Sequence, residues 1–161
     1  MIIELIKLIK KVNMKYTFLL IFFLSIQMIS NAQHKFASLN HIALDVTNLA
    51  KSNAFYKTII QIDSIAEPFH DGKHKWFKVG EHAQLHLIEV IGETAVHYKG
   101  THLCFSVTSI EDIINKLQQY NIPYENWKGV KSTFTLRPDG VKQIYFQDPD
   151  GYWIEINNDQ Y

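Results

Sequence analysis

The sequence predicts an α+β fold of two βαβββ modules packed as a pseudo-two-fold pair, and two observations carry that prediction. The first is an internal repeat. Asn40-His-Ile-Ala-Leu-Asp-Val-Thr-Asn-Leu49 can be laid on Thr101-His-Leu-Cys-Phe-Ser-Val-Thr-Ser-Ile110 at a shift of 61 residues, with His41 on His102, Val46 on Val107 and Thr47 on Thr108. A repeated unit that cannot close its own core implies copies packed together. The second is the stretch Tyr145-Phe-Gln-Asp-Pro-Asp-Gly-Tyr-Trp-Ile-Glu-Ile156, which reads as strand, tight turn, strand. Pro149 presets φ for the turn and Gly151 supplies positive φ. In the last strand Trp153 and Glu155 share one face and Tyr152, Ile154 and Ile156 the other. A carboxylate facing into a sheet must be paired, protonated or bound to a metal.

The bulk composition narrows the function classes. A chain of 161 residues, 47% hydrophobic and 20% charged, suits one ordinary globular domain. Lys plus Arg and Asp plus Glu number 16 each, so no excess charge argues for nucleic acid or an anionic membrane surface. A single cysteine, Cys104, excludes an internal disulfide framework. Lys7, Lys10, Lys11 and Lys15 precede an apolar run from Tyr16 to Ile29, followed by Ser30-Asn-Ala32. That is the pattern of a secretory signal peptide over residues 1–32, with Met14 as an alternative start and cleavage expected after Ala32. The run is short for a spanning helix, so the mature chain is expected to have no membrane span and to be exported, periplasmic or secreted.

The mature chain begins near Gln33, and its domain is expected over residues 36–158, with modules 36–92 and 99–158. Leu39–Val46 alternates as a strand, with Leu39, His41, Ala43 and Asp45 on one face. Thr47 or Asn48 caps a helix to about Ile60, whose apolar stripe is Leu49, Phe55, Tyr56, Ile59 and Ile60. Ser64–Phe69 is a short strand, and Asp71-Gly72 turns into a strand at Trp76–Val79. Gln84–Val90 is a strand with Gln84, His86 and Ile88 on one face. The pattern then restarts. Thr101–Val107 is a strand presenting His102 and Cys104 together, and Ser109 caps a helix with Glu111 and Asp112 at its positive end. That helix ends near Tyr120, where Asn121 and Pro123 are stop signals. Strands are expected at Tyr124–Trp127, Thr133–Leu136, Gln143–Gln147 and Tyr152–Asn157.

The repeat makes the last strands of the modules correspond, which sets His86 opposite Glu155. His41 and His102 come from the two first strands, His86 and Glu155 from the two last. Two or three imidazoles with one carboxylate form a standard site for a divalent transition metal.

These residues are recognisable. Leu39-Asn-His-Ile-Ala-Leu-Asp-Val46, Phe55-Tyr56, Gln84-Leu-His-Leu-Ile-Glu89 and Phe146-Gln-Asp-Pro-Asp-Gly-Tyr-Trp-Ile-Glu155 resemble the vicinal oxygen chelate superfamily. That group includes glyoxalase I, fosfomycin-resistance transferases, extradiol dioxygenases and bleomycin-binding proteins. The resemblance implies a cupped mixed sheet with a divalent ion at its base, Zn, Ni, Co, Mn or Fe. It implies His41, His102 and Glu155 as ligands, with His86 at the variable fourth position and Glu155 as catalytic base. Glyoxalase I usually has Glu there, so His86 departs from the pattern and speaks against glutathione-linked chemistry. The implied activity is a metal-dependent lyase or isomerase acting on a small oxygen-chelating substrate through an enediolate. An Fe(II) extradiol-type dioxygenase and a binding or resistance protein without catalysis are the alternatives. A homodimer is a further expectation of the resemblance.

Smaller expectations attach to single residues. Gln84 and Cys104 flank the candidate ligands. Arg137 is placed to recognise a carboxylate or phosphate. Trp76, Phe77, Trp127 and Tyr145 are candidates to line the cup. His70, His74, His82 and His97 lie in or near turns and are expected to face solvent.

Overall fold

The computed structural model describes residues 37–93 and 95–160, with residues 2–4, 6, 7 and 16 of the preceding stretch. The expected leader and its cleavage site therefore lie mostly outside the described residues. Leu39–Tyr161 forms a compact unit of its own and holds every candidate site residue. No helix among the described residues is long and apolar enough to cross a membrane.

The elements follow the repeat. The first module contains β1 (His41–Val46), α1 (Leu49–Phe55), a π-helical turn (Tyr56–Ile60), β2 (Ser64–Ile65), β3 (His74–Val79) and β4 (Ala83–Glu89). The second contains β5 (His102–Ser106), α2 (Ile110–Gln119), β6 (Thr135–Leu136), β7 (Lys142–Gln147) and β8 (Trp153–Asn157). Each module makes its own four-stranded mixed sheet, in the orders β1-β4-β3-β2 and β5-β8-β7-β6. The first strand of each pairs parallel with the last, and the other pairs are antiparallel. The α+β architecture of two βαβββ modules is thus observed.

Alternation within the strands separates the two faces of each sheet. Leu44 and Val46 of β1, Phe77 of β3, and Leu85 and Leu87 of β4 are buried in one core with Ile144 and Phe146 of β7 and Ile154 and Ile156 of β8. Both helices cover that side. α1 is capped by Asn48, whose side chain accepts from Lys51 N, and α2 by Ser109, whose side chain accepts from Asp112 N. α2 buries Ile110, Ile113 and Leu117, the period expected of an amphipathic helix. The intervening strand residues, including all the candidate ligands, project from the opposite faces.

Some elements differ from expectation. The first helix does not stay α-helical to Ile60, because its last turn widens to π geometry and stops at Gln61 with φ 61°. Tyr124–Trp127 is not a strand. Only Glu125 forms isolated bridges, to Lys131 and Tyr145, and a side chain caps part of the segment: Trp127 N donates to Thr135 Oγ1 at 2.9 Å. The strand after Ser64 is two residues long, since Glu67 uses its carboxylate to accept from Phe69 N and His70 N in a local turn.

The Asp148-Pro-Asp-Gly151 turn does more than reverse the chain. Gly151 has φ 88°, and its N donates to Asp148 O at 3.1 Å. Asp148 Oδ1 accepts from Asp150 N and Tyr152 N at 2.9 Å each, so this carboxylate builds the turn. Its other oxygen accepts from Tyr56 OH at 2.8 Å. Asp150 reaches the first module too, accepting at 2.7 Å from both Thr47 N and Thr47 Oγ1 and at 2.6 Å from Ser52 Oγ. The second module's hairpin is thereby latched to the start of α1 in the first.

Candidate metal centre

Strand register builds equivalent constellations in the two modules. In the first, Ala43 pairs with His86 and Trp76 pairs with His86 from the other side. In the second, Cys104, 61 residues after Ala43, pairs with Glu155, and Tyr145 pairs with Glu155 from the other side. His41, His86 and Trp76 thus occupy the positions of His102, Glu155 and Tyr145. The contents of the two sets give them different chemistry.

The second module holds a charged cluster. His102 Nδ1 lies 2.7 Å from the Lys99 carbonyl oxygen. A carbonyl only accepts, so Nδ1 carries the hydrogen and a neutral ring presents a bare lone pair at Nε2. That atom faces Glu155 Oε2 at 3.1 Å. A lone pair against a carboxylate is repulsive unless a positive charge sits on the ring or between the two groups. A proton on Nε2 supplies one, and a divalent cation held by both atoms supplies the other. Two donors bound to one such ion at about 2.1 Å stand roughly 3.0–3.4 Å apart, so the observed spacing fits the group.

Glu155 is buried and fully engaged. Tyr145 OH donates to Oε2 at 2.6 Å, and Gln143 Nε2 and Asn157 Nδ2 donate to Oε1 at 2.6 and 3.0 Å. Burial opposes its ionisation, but the hydrogen bonds, led by that of Tyr145, outweigh it and hold the pKa below the usual carboxylate range. The same carboxylate pushes its neighbours the other way. Burial, then Glu155, raises the Tyr145 phenol, and burial with the Glu155 charge pushes the Cys104 thiol up to about 12. Burial and the Glu155 carboxylate, 3.5 Å from Sγ, thus favour the neutral thiol of Cys104.

Lys99 completes this half. Its ammonium pairs with Glu125, contacts the carbonyls of Asn126 and Trp127 at 3.3 Å, and lies over the rings of Tyr145 and Trp153. Those contacts fix the stretch between the modules and so the carbonyl that orients His102. Lys99, Gln143 and Asn157 are site residues that sequence reasoning missed. Gln143 and Asn157 share the alternation of Tyr145 and Glu155, which is a usable signal; nothing local marks Lys99.

The first module holds an aromatic stack. His41 Nδ1 lies 2.7 Å from Asn40 Oδ1, so His41 has the same tautomer as His102, with Nε2 bare on an exposed ring. His86 has the other tautomer, because its Nε2 lies 2.8 Å from Gln84 Oε1. Its ring lies between Trp76, at 3.9 Å and 2°, and His41, at 4.4 Å and 9°. Burial, and then the nearby His41 and His74, push the His86 pKa down and favour the neutral ring. Phe69 extends the aromatic surface, stacked on His74 and edge-on to Trp76. Trp76 Nε1 is buried with no hydrogen-bond partner.

One chain brings the expected ligands together two by two. His41 meets His86, and His102 meets Glu155, but the described residues hold no group of three or more His, Cys, Asp or Glu fit for a metal ion. The other candidates are dispersed. Gln84 serves His86, and Phe77 belongs to the core. Trp127 leans edge-on against Tyr145. Arg137 is paired with Asp139 and with Asp159, the latter at 3.1 Å, and does not reach the cluster's ligands. Two of the turn histidines are not simply solvent-facing. His97 stacks on Tyr152 at 3.8 Å, and His74 bonds Asp71 beneath Phe69, because the aromatic surfaces of the hairpins recruit them.

The family model of the Glyoxalase/Bleomycin resistance protein/Dioxygenase superfamily matches residues 38–156, a span that takes in strands of both modules. The chain belongs to this superfamily. Two relatives within it are each 27% identical. Glyoxylase I 4 of Arabidopsis thaliana matches over 127 residues, 75% of this chain and 70% of its own length. Metallothiol transferase FosB of Staphylococcus saprophyticus matches over 123 residues, 74% of this chain and 76% of its own. The crystal structure of a glyoxalase/dioxygenase from Nostoc punctiforme superposes with a TM-score of 0.64 at 22% identity, covering 81% of this chain and 96% of that one, a likeness of fold.

Proposed function

We propose that this superfamily member is a metal-dependent lyase or isomerase of glyoxalase I type, moving a proton between neighbouring carbons of a small 2-oxo or hemithioacetal substrate. The observation that carries the reading is the contact of His102 Nε2 with Glu155 Oε2 at 3.1 Å, a spacing that suits two donors sharing one ion. His102, Glu155 and His41 would hold the ion, with His41 supplied by a second copy of the chain, since one copy gathers no three donors among its described residues. When bound, Zn, Ni, Co, Mn or Fe supplies the Lewis acidity that stabilises charge on two adjacent substrate oxygens.

The remaining chemistry belongs to the chain. The Glu155 carboxylate would take the C–H proton, releasing its hold on the ion as it does so, and return the proton to the neighbouring carbon. Tyr145, Gln143 and Asn157 keep the carboxylate aimed and ionised. The Lys99 carbonyl keeps His102 in its ligand tautomer. Trp76 and Phe69 would supply an apolar surface beside His86 for the carbon part of the substrate.

The resemblance to metallothiol transferase FosB supports a second reading, thiol transfer. It is weaker here, because Arg137, the cation suited to an anionic substrate, is already paired with Asp139 and Asp159. The test is protein purified without chelator, analysed for metal, and assayed on 2-oxoaldehydes with and without a thiol and on an epoxide with a thiol. Isomerised product from the oxoaldehyde, lost in Glu155→Gln, is expected. Full activity in that variant ends the proposal, and turnover of the epoxide alone replaces it with the transferase. Export is part of the reading, and a mature protein that still begins at Met1 or Met14 removes that part.

A further inference from the structure

The role of His86 follows from the stack in the first module. His86 occupies the position of Glu155, which invites the reading that it too is a ligand. The geometry of its ring points elsewhere. Lone pairs of imidazoles lie in the ring plane, so two stacked rings 9° from parallel hold theirs in separate, nearly parallel planes that do not meet at one ion. Two nitrogens sharing an ion stand about 3.0–3.4 Å apart with convergent lone pairs. His86 Nε2 is in addition committed to Gln84 Oε1, and one face of the ring is covered by Trp76 at 3.9 Å and 2°. To share an ion with His41, the His86 ring would have to unstack from both Trp76 and His41.

The register explains why this stack exists only in the first module. The partner of Glu155 across the β7–β8 pair is Tyr145, which donates a hydrogen bond to the carboxylate. The partner of His86 across β3–β4 is Trp76, which offers a flat face. One pair organises a charge and the other organises a ring.

We propose that His86 is a stacking post for His41 and not a fourth ligand. Backed by Trp76, it holds the His41 ring with Nδ1 against Asn40 and leaves Nε2 exposed to take the ion. This rests on the reading of His41 as a ligand. The residues that would hold the ion are then His41, His102 and Glu155, with His86 behind them as a positioning residue.

The test is calorimetric titration of Zn²⁺ and Co²⁺ into the metal-stripped full chain, with the Co²⁺ absorption spectrum as a second readout. His86→Phe keeps the ring and removes both nitrogens. It is expected to bind Co²⁺ within about threefold of wild type and to leave the spectrum unchanged. His86→Ala, which removes the post, is expected to weaken binding by about tenfold, the size of an outer-shell orienting effect. His41→Phe is expected to lose the ion. Loss of binding or a changed spectrum in His86→Phe, with wild type binding normally, overturns the proposal alone. Full binding by His41→Phe, or none by wild type, defeats the parent reading and the role of His86 with it. If His86→Ala fails to fold, the Phe variant decides the matter.

Discussion

Ser52 and Asp150 are 98 residues apart in sequence, yet the serine hydroxyl donates a buried hydrogen bond to the carboxylate at 2.6 Å. With the two bonds from Thr47 it makes Asp150 the clasp between the modules. Removing the carboxylate strands these donors in a buried place. Asp150→Ala is expected to lower stability by about 3 kcal/mol and Ser52→Ala by about 1.5 kcal/mol, read by urea denaturation. A loss below about 0.5 kcal/mol for Asp150→Ala would show that the clasp carries little of the module packing.

Asp148 makes stability depend on pH. Burial raises its pKa in the folded protein, although Tyr56 and two backbone N–H groups act against that. The folded state therefore holds the proton more tightly than the unfolded chain. The stabilising contribution is complete below the unfolded value of about 3.9 and is lost as pH rises through the raised folded value. Asp148→Asn cannot ionise, so its melting temperature should gain on that of the wild type across this window and stay level above it. A difference that does not change with pH sinks the argument.

Tyr145 tunes the proposed base. Its hydroxyl donates to Glu155 Oε2 and is the leading hydrogen bond holding that carboxylate ionised. Tyr145→Phe should raise the Glu155 pKa, moving the acid limb of the pH–rate profile to higher pH and lowering the rate on the acid side. An unmoved limb would mean that another group sets it.

A centre divided between copies has a signature in mixtures. His41→Ala and Glu155→Ala should each be inactive alone. Refolded together, half of randomly formed dimers pair one of each, and each mixed dimer regains one of its two sites, for about a quarter of wild-type activity. No recovery, with mixed dimers confirmed by mass spectrometry, would place His41 and Glu155 of one centre in the same chain.

Much of the fold is legible in the sequence because strand alternation is local and the repeat runs ungapped through the first strand and the start of the helix. The 61-residue shift anticipates the equivalence of His41 with His102, and the Cys104–Glu155 and Ala43–His86 pairings realise it in the sheets. The Asp148-Pro-Asp-Gly151 signal identifies the turn correctly, but its aspartates read only as turn formers. Their hold on Thr47, Ser52 and Tyr56 joins residues roughly a hundred positions apart, and no local pattern reports that. Tyr124–Trp127 has the aromatic content of a strand, and a side-chain cap with two isolated bridges overrode the propensity.

By itself the sequence determined the two modules, their faces and the strand positions that carry His41, His86, His102 and Glu155, since these depend on side-chain chemistry and a period of two. Only the tertiary structure decided what each of them faces. Ring tautomers, stacking and the direction of a lone pair depend on the atoms across the sheet: Lys99 O turns His102 toward Glu155, while Gln84 and Trp76 turn His86 into a wall behind His41.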